Sequence, residues 1–147
     1  MTISQNLKDF CLDKNISIKQ LAKEIKVQDS LLYKYINDSA IPTLRNIIKL
    51  ANYFDCSIDY LLGLSDYPNK EKINKEFGCF DFYSRYKKLL SVNNLTHYAL
   101  CKELDLSMAS LTSWKNGTIP YLDTLIKIAN YFGVSVDYLV GRSDCEF

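Results

Sequence analysis

The sequence predicts an all-α protein made of two tandem five-helix units. Three observations carry that reading. Ile41 to Asp66 reads I-P-T-L-R-N-I-I-K-L-A-N-Y-F-D-C-S-I-D-Y-L-L-G-L-S-D, and 78 positions later Ile119 to Asp144 reads I-P-Y-L-D-T-L-I-K-I-A-N-Y-F-G-V-S-V-D-Y-L-V-G-R-S-D. Sixteen of these 26 positions are identical, which marks an internal duplication, and the period is that of a small domain rather than a solenoid repeat. Apolar residues recur at helical spacing in both copies, and no strand pattern of credible length is present.

Each unit opens with the same helix. Ile3, Leu7, Phe10 and Cys11 line one face, and Phe82, Tyr86, Leu89 and Leu90 repeat that face 79 positions later. Two short helices follow. Ser17 and Thr96 suit their N-caps, since a hydroxyl there accepts from amides of the first turn. Leu21 with Ile25, and Leu100 with Leu104, form the buried stripes of the second helices. The chain breaks at Lys26-Val27 and at Asp105-Leu106, and a third helix starts near Gln28 or Ser107. That helix buries Leu32 with Tyr35, or Leu111 with Trp114, and stops at Asn37-Asp38 or Asn116-Gly117. Glycine stops a helix because it takes the left-handed conformation at little cost. Val27 and Leu106 complete the buried sets, and Leu111→Ala is expected to cost about 2–5 kcal/mol.

Thr43 caps a fourth helix carrying Leu44, Ile47, Ile48, Ala51 and Phe54; Leu122, Leu125, Ile126, Ala129 and Phe132 repeat it. Ser57 and Ser135 cap a short fifth helix closing at Gly63 and Gly141. The domains therefore run 1–67 and 80–147, with a polar linker at 68–79. Fully extended, Gly63 to Asp81 would span roughly 50–60 Å.

Composition bounds the function. Of 147 residues, 48% are hydrophobic and 24% charged, an ordinary globular balance. No apolar run reaches a membrane span of about 20 residues, and helical patterning begins by Ser4 without a leader, so the expected location is cytoplasmic. Residues 1–67 hold eight basic and eight acidic side chains, and residues 80–147 seven of each. Neither unit is the strongly basic domain of a tight, unspecific nucleic-acid binder. The five cysteines, Cys11, Cys56, Cys79, Cys101 and Cys145, form no paired spacing, so reduced and mostly buried thiols are expected. Cys101 aligns with Ala22, a small buried position. No phosphate-cradling glycine loop, metal-ligand cluster or nucleophile motif occurs, so no enzyme activity and no cofactor is expected.

The second and third helices carry a resemblance. I-S-I-K-Q-L-A-K-E-I-K-V followed by L-L-Y-K-Y-I-N-D, and L-T-H-Y-A-L-C-K-E-L-D-L followed by S-L-T-S-W-K-N-G, resemble the Cro and phage-repressor (XRE-like) helix-turn-helix family. The repeated rear segments resemble it too. The resemblance covers nearly the whole chain except the linker and implies two lambda-repressor-like domains that bind duplex DNA. In that family the third helix enters the major groove and its early residues reach base edges. Aligned in this way, the reading positions are Gln28, Asp29, Ser30 and Lys34 in the first copy and Ser107, Met108, Ala109 and Ser113 in the second. Lys115, Lys19 and Arg45 add cations. The first residue of the second helix, often Gln in the family, is Ile18 or His97; His97 there is a candidate phosphate donor. The turn, often Gly, holds Lys26 or Asp105.

The chemistry of these positions is uneven. Lys34 and Lys115 suit phosphate or guanine, Asp29 suits cytosine N4 but repels phosphate, and Met108 with Ala109 suits a thymine methyl. Neither reading helix has an arginine. Trp114, Tyr35 and the Asp59-Tyr60 and Asp137-Tyr138 pairs read as packing and helix-start charge. The helix-turn-helix segments, Ile16–Ser39 and Leu95–Thr118, share only five of 24 positions. The scaffold is thus held while the reading surface differs. The leading expectation is a DNA-binding transcriptional repressor, with the second copy the better reader. The rival is a protein-binding module on the same scaffold, which inhibits or sequesters a partner. Ile58, Leu61, Leu62, Val136, Leu139 and Val140 are expected to pair the fifth helices, as a homodimer or within one chain.

Overall fold

A computed structural model describes residues 3–70, 73–74 and 82–146. The chain divides into two compact units, Met1–Glu71 and Lys72–Phe147. Unit 1 holds α1 (Ile3–Asp13), α2 (Ile18–Ile25), α3 (Asp29–Ile36), α4 (Leu44–Tyr53) and α5 (Ile58–Leu61). Unit 2 holds α6 (Phe82–Val92), α7 (His97–Leu104), α8 (Ser110–Lys115), α9 (Leu122–Phe132) and α10 (Val136–Leu139). No strand occurs among the described residues. Of the linker stretch, Glu71, Lys72 and 75–79 lie outside the described residues, as does Cys79.

The helix starts follow from local chemistry. Ser17 Oγ accepts from the Gln20 amide at 3.1 Å, and Thr96 Oγ1 from the Ala99 amide at 3.1 Å. Thr43, Ser57 and Ser135 cap α4, α5 and α10 in the same way. Where the second helices end, Lys26 and Asp105 take φ of 58° and 55°. Their left-handed backbone lets Val27 and Leu106 amides reach back to Ala22 and Cys101 carbonyls at 3.0 and 2.9 Å. The tight turn therefore forms without glycine, at a steric cost of about 1–2 kcal/mol for a side chain in that region.

In unit 1, α1 packs on α3 and α5, and α2 on α3 and α4. Leu7, Leu21, Leu32, Tyr35, Ile47 and Ile48 fill the space between them. Asn6 Nδ2 donates to the Tyr60 and Leu61 carbonyls at 3.1 and 3.0 Å, tying α1 to the end of α5. Unit 2 does this job with a charge. Arg85, the counterpart of Asn6, donates to the Tyr138 carbonyl at 2.6 Å and to that of Ser143, and pairs with Asp144 at 2.9 Å. Its guanidinium also lies over the Tyr138 ring. Asp137 and Arg142 form a buried ion pair beside it. Both units fold their tails back alike: the Ser57 amide donates to Pro68, and the Ser135 amide to Glu146, at 2.8 and 2.7 Å.

Several buried positions differ from expectation. Val27, Leu104, Leu106 and Leu111 are half-buried. The reason for Leu111 is the late start of α8, which puts that residue in the first turn instead of mid-helix. Cys11, Cys56 and Cys101 are buried, but Cys145 is exposed. On the fifth helices, Ile58, Leu61, Val136, Leu139 and Val140 are buried within the chain, and Leu62 is half-buried.

Candidate nucleic-acid interface

The candidate reading face of each unit is the start of its third helix with the turn before it. Gln28, Asp29, Ser30 and Lys34 are all exposed, as are Ser107, Met108, Ala109, Ser113 and Lys115. Lys19 and Arg45 are exposed as well. The packing that achieves this lies underneath. Leu32 and Tyr35 turn inward in unit 1, with the Tyr35 hydroxyl accepting from Asn46 Nδ2 at 3.0 Å. Trp114 turns inward in unit 2, edge-on to Phe82 and Tyr86 at 5.3 Å between ring centroids.

The two helix starts are built differently. In unit 1 the Asp29 carboxylate accepts from the Ser30 amide at 2.8 Å, so an anion already occupies that backbone donor. In unit 2 the sequence places no acid there. The chain instead makes a turn over Ser107–Ala109, closed by the Ser110 amide and hydroxyl to the Ser107 carbonyl at 3.3 and 2.6 Å. The α8 helix begins at Ser110, three residues after the expected start, so Ser107 stands in the approach turn rather than on the helix.

One side chain is misplaced by the sequence reading. His97 is buried, not presented to phosphate. Its Nδ1 lies 2.8 Å from the Tyr86 hydroxyl and its Nε2 3.2 Å from Cys101 Sγ. Trp114 packs edge-on at 5.7 Å. Burial pushes its pKa below the ordinary value; a hydrogen bond with the Met108 backbone works against the shift, and the Lys87 charge adds to it. The physical reason is the aromatic cluster: a ring at the first position of α7 fills space that Ile18 and Leu7 fill in unit 1.

Beside the second reading turn lies a cavity of about 420 Å³. Ser107, Ser110, Ser113, Thr118 and Thr124 offer hydroxyls to it, and Tyr121 stands at its edge, 85% exposed. Tyr121 was not singled out from the sequence, yet a signal was there. It occupies the N-cap of α9, where unit 1 has Thr43, and it makes no capping bond. Among the described residues no group of metal ligands occurs, and no helix is long and apolar enough to cross a membrane.

Two compact helical units, each presenting a solvent-facing third helix behind a tight turn, define a helix-turn-helix protein. Residues 7–61 and 93–139 match the helix-turn-helix family model, and the chain belongs to that family of transcriptional regulators, which are not enzymes. Over 76 residues the chain is 34% identical to YobD, described as an uncharacterized HTH-type transcriptional regulator of Bacillus subtilis (strain 168). That match takes in 50% of this chain and 68% of YobD. A solved structure of a transcriptional regulator from Listeria innocua aligns over 69% of this chain and 84% of its own, with a TM-score of 0.41 and 24% identity.

Proposed function

We propose that the chain is a cytoplasmic repressor that binds duplex DNA sequence-specifically and acts by occupying an operator. One observation carries the assignment: in both units the side chains at the reading positions are exposed, while Leu32 and Tyr35 on α3, and Trp114 on α8, are buried and fasten the helix to its core. A surface so arranged can enter a groove without disturbing the core. Unit 2 is the better reader. From Ser107 to Lys115 it carries no acidic residue, with Ser107, Met108, Ala109 and Ser113 at the reading positions, and Lys115 ends the helix. The apolar side chains of Met108 and Ala109 favour steps containing thymine over guanine. Tyr121 adds a phenol at the rim. Unit 1 contributes through Lys19, Lys34 and Arg45, with Gln28 and Ser30 at base level and Asp29 weakening its phosphate contacts.

Helix-turn-helix proteins commonly read paired half-sites as dimers. Here the two units of one chain supply the pair. This is preferred to a homodimer through the fifth helices because five of the six apolar residues expected to form it are already buried. Light scattering of the intact chain at micromolar concentration is expected to give a monomer.

A second reading, a module that binds a protein partner, is favoured by one specific feature. From Ser107 to Lys115 the second reading face carries one charge, Lys115, and exposes Met108, with Tyr121 exposed nearby. Mobility shift on the region upstream of the chain's own gene, with salt titration, separates the two. DNA binding is expected to weaken steeply as salt rises, since phosphate neutralisation releases counterions; an absence of salt-dependent binding supports the protein partner.

A further inference from the structure

His97 is the single histidine of the chain, and it sits where the second reading head is fastened to its core. From α6, Tyr86 brings its hydroxyl to Nδ1; from α7, Cys101 brings its sulfur to Nε2; from α8, Trp114 packs against the ring. The same cluster holds the reading turn. The Cys101 thiol, in contact with the ring, also faces the Ser107 carbonyl at 3.9 Å.

We propose that His97 is a proton-operated latch, holding the reading turn and α8 of unit 2 in place when neutral and releasing them when protonated. Its consequence for DNA rests on the reading that unit 2 binds DNA. In the neutral form the ring keeps one donor and one acceptor nitrogen for the Tyr86 hydroxyl and the Cys101 thiol, and no described buried side-chain polar atom lacks a partner. A proton added from solvent turns the ring's remaining acceptor nitrogen into a second donor. Whichever nitrogen takes it, the ring then offers neither Tyr86 nor Cys101 an acceptor, in a pocket walled by Phe82 and Trp114. The new charge also has no anion to meet. The groups that face it are Tyr86 and Lys87 from α6, Cys101 from α7 and Trp114 from α8, and no carboxylate is among the groups acting on it. Burial raises the pKa of both Tyr86 and Cys101, so neither supplies an anion near neutrality.

The sign follows directly. The latched ring holds its proton less readily than a solvated one, whose ordinary value is 6.5. The released state therefore binds more protons, and latching is complete above 6.5 and is lost as pH falls from there toward the lower folded value. Unit 1 has Ile18 and Leu7 at the corresponding places, so nothing titrates there.

Trp114, the single tryptophan, reports on α8. Its quenching by acrylamide is to be followed in the intact chain from pH 8 to 5 at fixed ionic strength, with helicity monitored by circular dichroism. The latch predicts that quenching rises below pH 6.5 while helicity persists. His97→Ile, which copies unit 1, and His97→Gln should both stay flat, and either one suffices if the other misfolds. Quenching that stays flat in the natural chain until helicity is lost overturns the latch, as does a transition that survives in a folded variant. In parallel, binding to a labelled duplex of the upstream region should weaken with falling pH, steepening toward tenfold per pH unit for one proton. A Trp114 transition without DNA binding at any pH supports the latch and overturns the DNA reading. Equal binding across the range with no transition overturns the latch alone.

Discussion

At the scale of residues, the two units solve the same packing problem with different chemistry. Leu7, Ile18, Ala22 and Tyr35 in unit 1 face Tyr86, His97, Cys101 and Trp114 in unit 2. The first set is nearly all apolar; the second carries two hydrogen-bonded polar atoms into the same space. Burial also separates residues that look equivalent along the chain. Leu100 is fully buried and Leu111 only half-buried. Leu100→Ala should therefore cost about 2–5 kcal/mol, and Leu111→Ala about 1–2 kcal/mol, since less apolar surface is withdrawn from water. Chemical denaturation of the two variants checks the ranking. His97 was the residue least legible from sequence. Its position invited a phosphate contact, and its burial depends on Tyr86 and Trp114, which meet it only in the folded unit.

At the scale of elements, hydroxyl caps were fully legible, because a cap is decided by three neighbouring residues. The start of α8 was not, because Ser107-Met108-Ala109 offers no capping bond and the chain turns there before the helix begins. The N-cap of α9 poses the opposite question. Tyr121 leaves the first-turn amides of α9 without the hydroxyl that Thr43 gives to α4. Tyr121→Thr should restore that bond and stabilise unit 2 by about 1 kcal/mol, while weakening DNA binding. A thermal melt and a binding isotherm on the same variant test both halves. A stabilised variant that binds DNA as well as the natural chain would remove Tyr121 from the interface.

At the scale of the whole molecule, the duplication made the architecture legible. Sixteen shared positions in 26 fix the rear of each unit, and those residues supply much of the cores. The reading helices share few positions, and each is oriented by inward aromatic residues, Tyr35 or Trp114, rather than by the exposed ones. That division leaves the surface at liberty to diverge without cost to the fold. On the proposed DNA reading, the two units need not see the same half-site, and the acid at Asp29 would make unit 1 the weaker.

The central claim, that DNA is read mainly by unit 2, is tested most directly by duplex binding of Ser107→Glu and Lys34→Glu at two salt concentrations. Both sites are exposed, so neither change should disturb the fold. Ser107→Glu places a carboxylate in the phosphate field at the approach turn and should cost about 1–3 kcal/mol or more, roughly 10- to 100-fold in affinity, with loss of sequence preference. Lys34→Glu should weaken binding less and reduce its salt dependence. Loss of DNA binding in Lys34→Glu with binding retained in Ser107→Glu would contradict the account and make unit 1 the principal reader.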